Sequence, residues 1–223
     1  LHPDGTTLKP ITAIAALESG KTNTARQIKC NGYPLINNHS HACMGYHSNI
    51  SLKTAIAKSC NVYFQQIGVE TGVDSIDFWA KSFGLGEKTG IEINEYAGYR
   101  SNRETMKIKE TDIYHKWTES DTAQTSIGQL YTLFTPLQLA RYAAALGNGG
   151  ILNTPYLIGS IKTASGSVVL DNSDKNKNAT KVDVSEYVLD AVKEGMIEMV
   201  KSSVAAQKAF TAFPQGFIAA KTG

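Results

Sequence analysis

The apolar positions of this chain fall into short periodic runs separated by polar stretches, and the periods define the elements. From about Thr7 to Ser19, Ile11, Ile14, Ala15 and Leu17 recur at helical spacing. Pro10 sits in the first turn, where its missing N–H costs least, and Gly20 supplies a stop. A short helix is expected from Leu52 to Lys58. Two more follow in VYFQQIGVETG and VDSIDFWAKSFGLG, each closed by glycine. Thr135, Pro136 and Gln138 predict a helix start: threonine caps, proline takes the first helical position and glutamine completes a capping box. That helix runs through LQLARYAAALG to GNGG. Val184, Val188, Val192, Met196 and Val200 recur every four residues and predict the longest amphipathic helix, with Asp183 and Glu186 as its capping box. Residues 156–170 alternate weakly and read as strands joined at an SGS turn, while DNSDKNKNATK (171–181) reads as a solvated loop and QGFIAAKTG as a closing strand. Tyr63, Phe64, Trp79 and Phe83 fall at helical spacing and are expected in the core. Helices in the middle and strands late make the class α+β, without an internal repeat.

Residues 21–50 break the pattern. They are polar, rich in Asn, His, Gly and Cys, and need a staple to hold one shape. The three cysteines, Cys30, Cys43 and Cys60, lie in or just after this segment, and an odd number cannot all pair within one chain. Twelve residues separate Cys30 from Cys43, three separate Cys43 from His47, and twelve separate His47 from Cys60. Three thiolates and an imidazole make the closed tetrahedral set that structural zinc prefers. The alternative is a Cys30–Cys43 disulfide with Cys60 buried and inert, which an extracytoplasmic location would favour. His39 and His41 are alternative imidazoles in the same stretch.

Bulk properties narrow the field of functions. A length of 223 residues supports one core or a core with a lobe, and a net charge of +2 argues against a nucleic-acid or membrane-surface partner. The apolar runs are too short and interrupted to span a bilayer, and LHPDG has neither the basic start nor the apolar run of a signal peptide. The chain reads as an internal segment of a larger protein whose targeting or anchoring signal lies outside it.

Three motifs stand in order: TTLK (6–9), SCN (59–61) and KTG (221–223). A hydroxyl is a poor nucleophile without an adjacent base, and Thr6 and Lys9, three residues apart on a helix, share a face. A lysine held in a partly dry site among other cations gives up its proton more readily. In an extended SCN, alternation puts Ser59 and Asn61 on one side and Cys60 on the other.

These motifs, together with GLGEKTGIEINEYAG, SIGQLYTLFTPLQLARYAAALGNGG and SCNVYFQQIG, resemble the class B penicillin-binding proteins, the monofunctional peptidoglycan D,D-transpeptidases. Within that group the likeness is greatest to the elongation, or rod-shape, type, and it runs from Gly5 to Gly223. The resemblance implies an antiparallel sheet flanked by helices with an all-helical lobe. It makes 1–223 one transpeptidase-domain segment, with 21–60 a metal-binding insertion, 61–150 mainly helical, and 151–223 strands, a long helix and the KTG strand. It implies that Ser59 relays protons between Lys9 and Lys221, and that Asn61 bonds the substrate amide. Lys221 and Thr222 would meet the substrate and its carboxylate, and Gly223 would let a peptide lie along the strand edge. The reaction implied is acyl transfer from a D-Ala-D-Ala stem peptide through an acyl-enzyme, with β-lactams as mimics of the dipeptide. Some rod-shape-type transpeptidases carry a metal-binding insertion between the first two motifs, which matches Cys30, Cys43, His47 and Cys60 as zinc ligands. The implied partners are stem peptides, β-lactams, a glycosyltransferase and other elongation proteins. The implied place is the extracytoplasmic face of the cytoplasmic membrane. Thr6 stands where the family carries serine, so a methyl group flanks the attacking oxygen and χ1 is stiffened. The family also draws an oxyanion-hole N–H from just beyond the KTG triplet, outside this chain. Two readings follow: acyl transfer through Thr6, or a catalytically silent homologue that binds stem peptide or wall-synthesis partners. A β-lactam-hydrolysing or β-lactam-sensing relative would need a group to activate a deacylating water, and no residue is an obvious candidate.

Overall fold

The computed structural model describes residues 1–3, 5–33, 42–111, 114–177 and 179–223. Strand β1 (His2–Pro3) leads to a 3-10 turn, Gly5–Leu8, and only then to helix α1 (Lys9–Glu18). The α-helix thus starts later than the apolar spacing predicts, with Pro10 in its first turn. Every residue from Lys9 to Ala16 is buried, so α1 is a central helix rather than a half-exposed one.

The polar segment contains a ladder that its composition does not announce. Strand β2 (Ile28–Cys30) pairs antiparallel with β3 (Ser48–Ile50), and Ile28 and Ile50 face each other as buried partners. Helix α2 (Leu52–Ala57) follows, opened by a capping box between Ser51 and Thr54. Helices α3 (Asn61–Thr71) and α4 (Val73–Ser82) are separated by the single residue Gly72. Tyr63, Phe64 and Phe83 are fully buried and Trp79 nearly so, as their spacing predicts. Burying each such side chain stabilises the fold by about 1.5–3 kcal/mol.

Two short helices lie outside the predicted set, α5 (Arg103–Lys109) and α6 (Glu119–Thr125). The second opens with a box in which the Thr118 N–H and hydroxyl both donate to Asp121 Oδ2, at 2.7 and 2.8 Å. Strand β4 (Leu133–Phe134) pairs with β1 across the whole domain. Helix α7 (Pro136–Gly147) begins as the sequence predicts: Gln138 N–H donates to Thr135 Oγ1 and Thr135 N–H to Gln138 Oε1, both at 3.2 Å. Strand β5 (Ile151–Leu152) is followed by the exposed hairpin β6 (Ser160–Lys162) and β7 (Val168–Asp171), which turns at Gly166. The solvated loop expected over 171–181 ends in β8 (Thr180–Lys181), the partner of β5.

Helix α8 (Glu186–Ser202) is the longest, and its buried stripe includes Val188, Val192 and Met196. Its cap differs from the expected one. Ser185 is the capping residue and makes no side-chain cap bond; its N–H and Oγ donate to Glu18 Oε1 at 2.7 and 2.6 Å, tying α8 to the end of α1. Helix α8 crosses α2 at Gly195, where a Cβ would lie 2.7 Å from Ile56 Cβ. After α9 (Val204–Ala209) the closing stretch pairs with no strand among the described residues, contrary to the sequence reading. A strand exists only against a partner, and the backbone here is tied instead to a helix, Ala220 N–H donating to Met196 O at 3.2 Å. The class is α+β: helices around α1, with four two-stranded antiparallel ladders at the periphery among the described residues. No helix among these residues is long and apolar enough to cross a membrane.

Candidate active site

The three motifs converge although they lie at the ends and the first third of the chain. Thr6 is carried by the 3-10 turn ahead of α1. Its Oγ1 donates to the Thr222 carbonyl, and accepts from Lys221 Nζ at 3.0 Å and from Ser59 Oγ at 3.3 Å. Lys221 Nζ also donates to Ser59 Oγ, and Thr222 Oγ1 lies 3.3 Å from that amine and 3.5 Å from Ser59 Oγ. Gly223 lies beside Gly5, where an added Cβ would meet the Gly223 carbonyl carbon at 3.8 Å.

Lys9 is fully buried. Among the described residues it makes no hydrogen bond to Thr6, which lies in the 3-10 turn and not on the same helix as expected. A buried ammonium or amine must satisfy its donors, and Lys9 Nζ gives them to Ser59 O and Asn61 Oδ1, each at 2.7 Å. The two lysines therefore bracket Ser59, Lys221 on the hydroxyl and Lys9 on the carbonyl. Burial, then the neighbouring Lys221 charge, lower Lys9 to about 7, and the nearby Cys43 and Cys60 partly oppose this. Burial alone lowers Lys221 to about 8. Both amines thus supply a neutral fraction near neutral pH, as a general base requires.

The SCN tripeptide is not extended. Ser59 adopts a left-handed φ of 53°, and Cys60 is the cap of α3, its Sγ accepting from Tyr63 N–H at 3.5 Å. The sidedness expected from alternation is nevertheless present: Ser59 and Asn61 face the lysines and Cys60 faces away. The described non-glycine residues with positive φ are Ser48, Ser59 and Leu130, and they adjoin His47, Cys60 and Gln129 respectively. Such conformations cost about 1–3 kcal/mol each and persist where the surroundings over-determine them.

Thr6, Ala42, Asn61, Ile127 and Gln129 line an open cleft of about 280 Å³. Asn61 Nδ2 donates to Ala42 O at 3.0 Å, which anchors the backbone at Ala42 to the site. The turn carrying Ile127 and Gln129 is pressed onto the turn carrying Thr6. Gly5 N–H donates to Gly128 O at 3.1 Å, and a Cβ on Gly128 would lie 1.7 Å from Gly5 O. Only glycine permits that approach. Ala42, Ile127 and Gln129 were not among the expected site residues. Ile127 and Gln129 had a signal, since both sit within the SIGQLYT stretch; Ala42 had none.

Behind Cys60, the four candidate ligands meet. Their ligand atoms all lie within 4.8 Å of one another. His47 Nδ1 is 3.5 Å from both Cys30 Sγ and Cys43 Sγ, and Cys43 Sγ is 3.8 Å from Cys60 Sγ. A tetrahedral zinc with bonds of about 2.3 Å to sulfur and about 2.0 Å to nitrogen requires edges of about 3.8 Å and about 3.5 Å. The set fits. All three cysteines are free thiols, so the Cys30–Cys43 bridge is not formed. Hydrogen bonds from the Cys60 thiol and from the backbone of Gly45, Asn61 and Val62 hold Cys43 down to about 4, while Cys60 is pushed up by the same pairing and by burial. His39 and His41 lie outside the described residues.

Comparison with known proteins agrees with this geometry. The family model for the penicillin binding protein transpeptidase domain matches residues 3–223. The chain is 32% identical over 210 residues to the peptidoglycan D,D-transpeptidase MrdA of Haemophilus influenzae, covering 91% of this chain and 31% of that protein. Its structure superimposes with a TM-score of 0.78 on the ceftriaxone acyl-enzyme complex of penicillin-binding protein A from M. tuberculosis, at 30% identity, covering 100% of this chain and 47% of that one. A second solved structure, of a peptidoglycan synthase complex that coordinates polymerization and crosslinking, matches with a TM-score of 0.77 at 27% identity, over 94% of this chain and 34% of that one. The chain thus spans less than half the length of these relatives. With the three motifs joined by hydrogen bonds around Thr6 and Ser59 and the family model spanning nearly all its residues, this chain belongs to the penicillin-binding protein transpeptidase family.

Proposed function

We propose that this chain is the acyl-transfer unit of a peptidoglycan D,D-transpeptidase, with Thr6 as its nucleophile. The observation that carries the proposal is the placement of Thr6 Oγ1 against both Ser59 Oγ and Lys221 Nζ. In the forward step Thr6 Oγ1 bonds to the carbonyl carbon of the penultimate D-alanine of a stem peptide. Its proton passes to the neutral fraction of Lys221, directly or through Ser59, and the peptide C–N bond breaks. The same proton returns to the departing D-alanine amine. An amine of a second stem peptide then attacks the ester, and Thr6 regains its proton. Lys9 holds Ser59 by its carbonyl and Asn61 by its amide oxygen, and its charge, like that of Lys221, favours a substrate carboxylate. Asn61, Thr222 and Gly223 contact the substrate amide and its carboxylate end.

Cys30, Cys43, His47 and Cys60 would hold a structural zinc; when bound, it fixes the loop that carries Ala42 to the back of the tripeptide that carries Ser59 and Asn61. A peptidoglycan substrate puts the reaction on the extracytoplasmic face of the cytoplasmic membrane, and the relative that coordinates polymerization with crosslinking supports a glycosyltransferase partner.

A second reading rests on one feature of the same site. The Thr6 hydroxyl gives its hydrogen to the Thr222 carbonyl, and its methyl flanks the oxygen. A silent homologue would retain stem-peptide binding without acylation. Denaturing intact-mass spectrometry after penicillin treatment separates the two, using the full-length protein, Thr6→Ser and Thr6→Ala. A stable adduct mapped to Thr6 supports the nucleophile. An adduct on Thr6→Ser alone means the machinery is intact and threonine has silenced it.

A further inference from the structure

Two side-chain amides line the cleft, and they are in different states. Asn61 is engaged by the protein at both ends, Oδ1 by Lys9 Nζ at 2.7 Å and Nδ2 by Ala42 O at 3.0 Å. That leaves it one N–H and one lone pair for a ligand. Gln129 is the reverse. Its backbone is held at every point: its N–H donates to Gln124 O at 3.0 Å, its carbonyl accepts from Ser101 Oγ at 3.2 Å, Gly128 before it is pressed on Gly5, and Leu130 after it has a φ of 68°. Its side-chain amide is half-buried and makes no hydrogen bond among the described residues. A backbone fixed this heavily, partly in a costly conformation, carries one uncommitted donor–acceptor pair beside Thr6 and Asn61.

We infer that Gln129 is a substrate-binding residue that pairs its amide with a peptide group of the acyl-donor stem peptide, N–H to the peptide carbonyl and Oε1 to the peptide N–H. A side-chain amide is complementary to a peptide group in this way, at two separate atoms, and to a carboxylate through its donors only. Asn61 supplies the second, partly committed contact, so the pair selects an amide-bearing chain ahead of the scissile bond. The inference rests on the proposed stem-peptide substrate.

The test is the dissociation constant of Nα,Nε-diacetyl-L-Lys-D-Ala-D-Ala, measured by calorimetry for the full-length protein and its Gln129→Ala, Gln129→Glu and Asn61→Ala variants, with a melting curve for each. Gln129→Ala is expected to weaken binding about tenfold, and Gln129→Glu, which loses the donors, by a similar factor. Melting temperatures should stay unchanged, because the amide bonds nothing in the protein. Wild-type affinity in both Gln129 variants, with a loss in Asn61→Ala, overturns the assignment and leaves the transpeptidase reading intact. A melting point that drops together with binding makes Gln129 structural and also overturns it. If the parent protein binds no peptide, the substrate reading falls and takes the assignment with it.

Discussion

Ser59, Cys60 and Asn61 serve two adjoining sites whose electrostatics run in opposite directions. On one side, Lys9 and Lys221 are two amines in a dry space; burial drives both towards the neutral form, and the Lys221 charge adds to it at Lys9. On the other, three thiols and an imidazole are packed at the corners of a tetrahedron, a set that would release protons to gain a cation. The sites communicate through charge as well as through the chain, since Cys43 and Cys60 act against the lowering of Lys9. They also differ in assembly. The cysteine node draws on residues 30–60, whereas the lysine cleft joins Thr6 to Lys221 across nearly the full chain. A domain can thus carry a locally assembled side-chain cluster directly behind a site that only distant segments together create.

The sharpest way to break the comparison is to damage the cleft alone. Lys221→Ala is expected to slow penicillin acylation about a hundred- to ten-thousandfold, measured by adduct mass against time, with zinc content unchanged by elemental analysis. Loss of metal in that variant would mean the sites are not separable.

Damaging the node alone should read out first in stability. Chelation, or Cys30→Ser, is expected to release one zinc per chain and to lower the melting temperature by at least about 5 °C, restored by zinc in the chelated protein. A chain that contains no zinc when purified with it, and melts identically with chelator, has no metal site there.

Gly195→Ala should spare both sites and injure the scaffold. The added methyl meets Ile56 at the α2–α8 crossing, and a loss of about 1–3 kcal/mol is expected by denaturant unfolding, with zinc retained.

The smallest effect is pH dependence. The neutral fraction of the two amines grows as pH rises through about 7 to 8, so acylation should fall about tenfold per unit below that range. Stability carries the same sign. Both lysines have folded pKa values below 10.5, so the unfolded chain binds more protons, and stability rises with pH from about 7 towards 10.5. The cost of burying charged lysines is fully present below about 7. Lys9→Met should flatten the slope of stability between pH 7 and 9; an unchanged slope would place its titration elsewhere.

What was legible in the sequence follows the range of the interaction involved. The Thr135–Gln138 box is made within four residues, and it was readable in full. Thr118 and Asp121 form an equally local box and announce α6, but no apolar period follows to draw attention to it. The two-residue strands were not legible, because β1 exists only through Phe134 and Leu133, some 130 residues away. The SCN tripeptide was legible in its sidedness and not in its shape, since a left-handed Ser59 before a helix cap produces the same division of faces as an extended chain.

By itself the sequence determined the helical framework, the four candidate metal ligands and the identity of the three motifs, because these rest on spacing and on side-chain chemistry. Tertiary structure alone decided that Lys221 rather than Lys9 meets the Thr6 hydroxyl, that Ala42 and Gln129 wall the cleft, and that the KTG segment pairs with no strand among the described residues. Each of these depends on where distant backbone arrives: a buried amine turns to whichever acceptors lie beside it, and a strand forms only where a second strand is within reach.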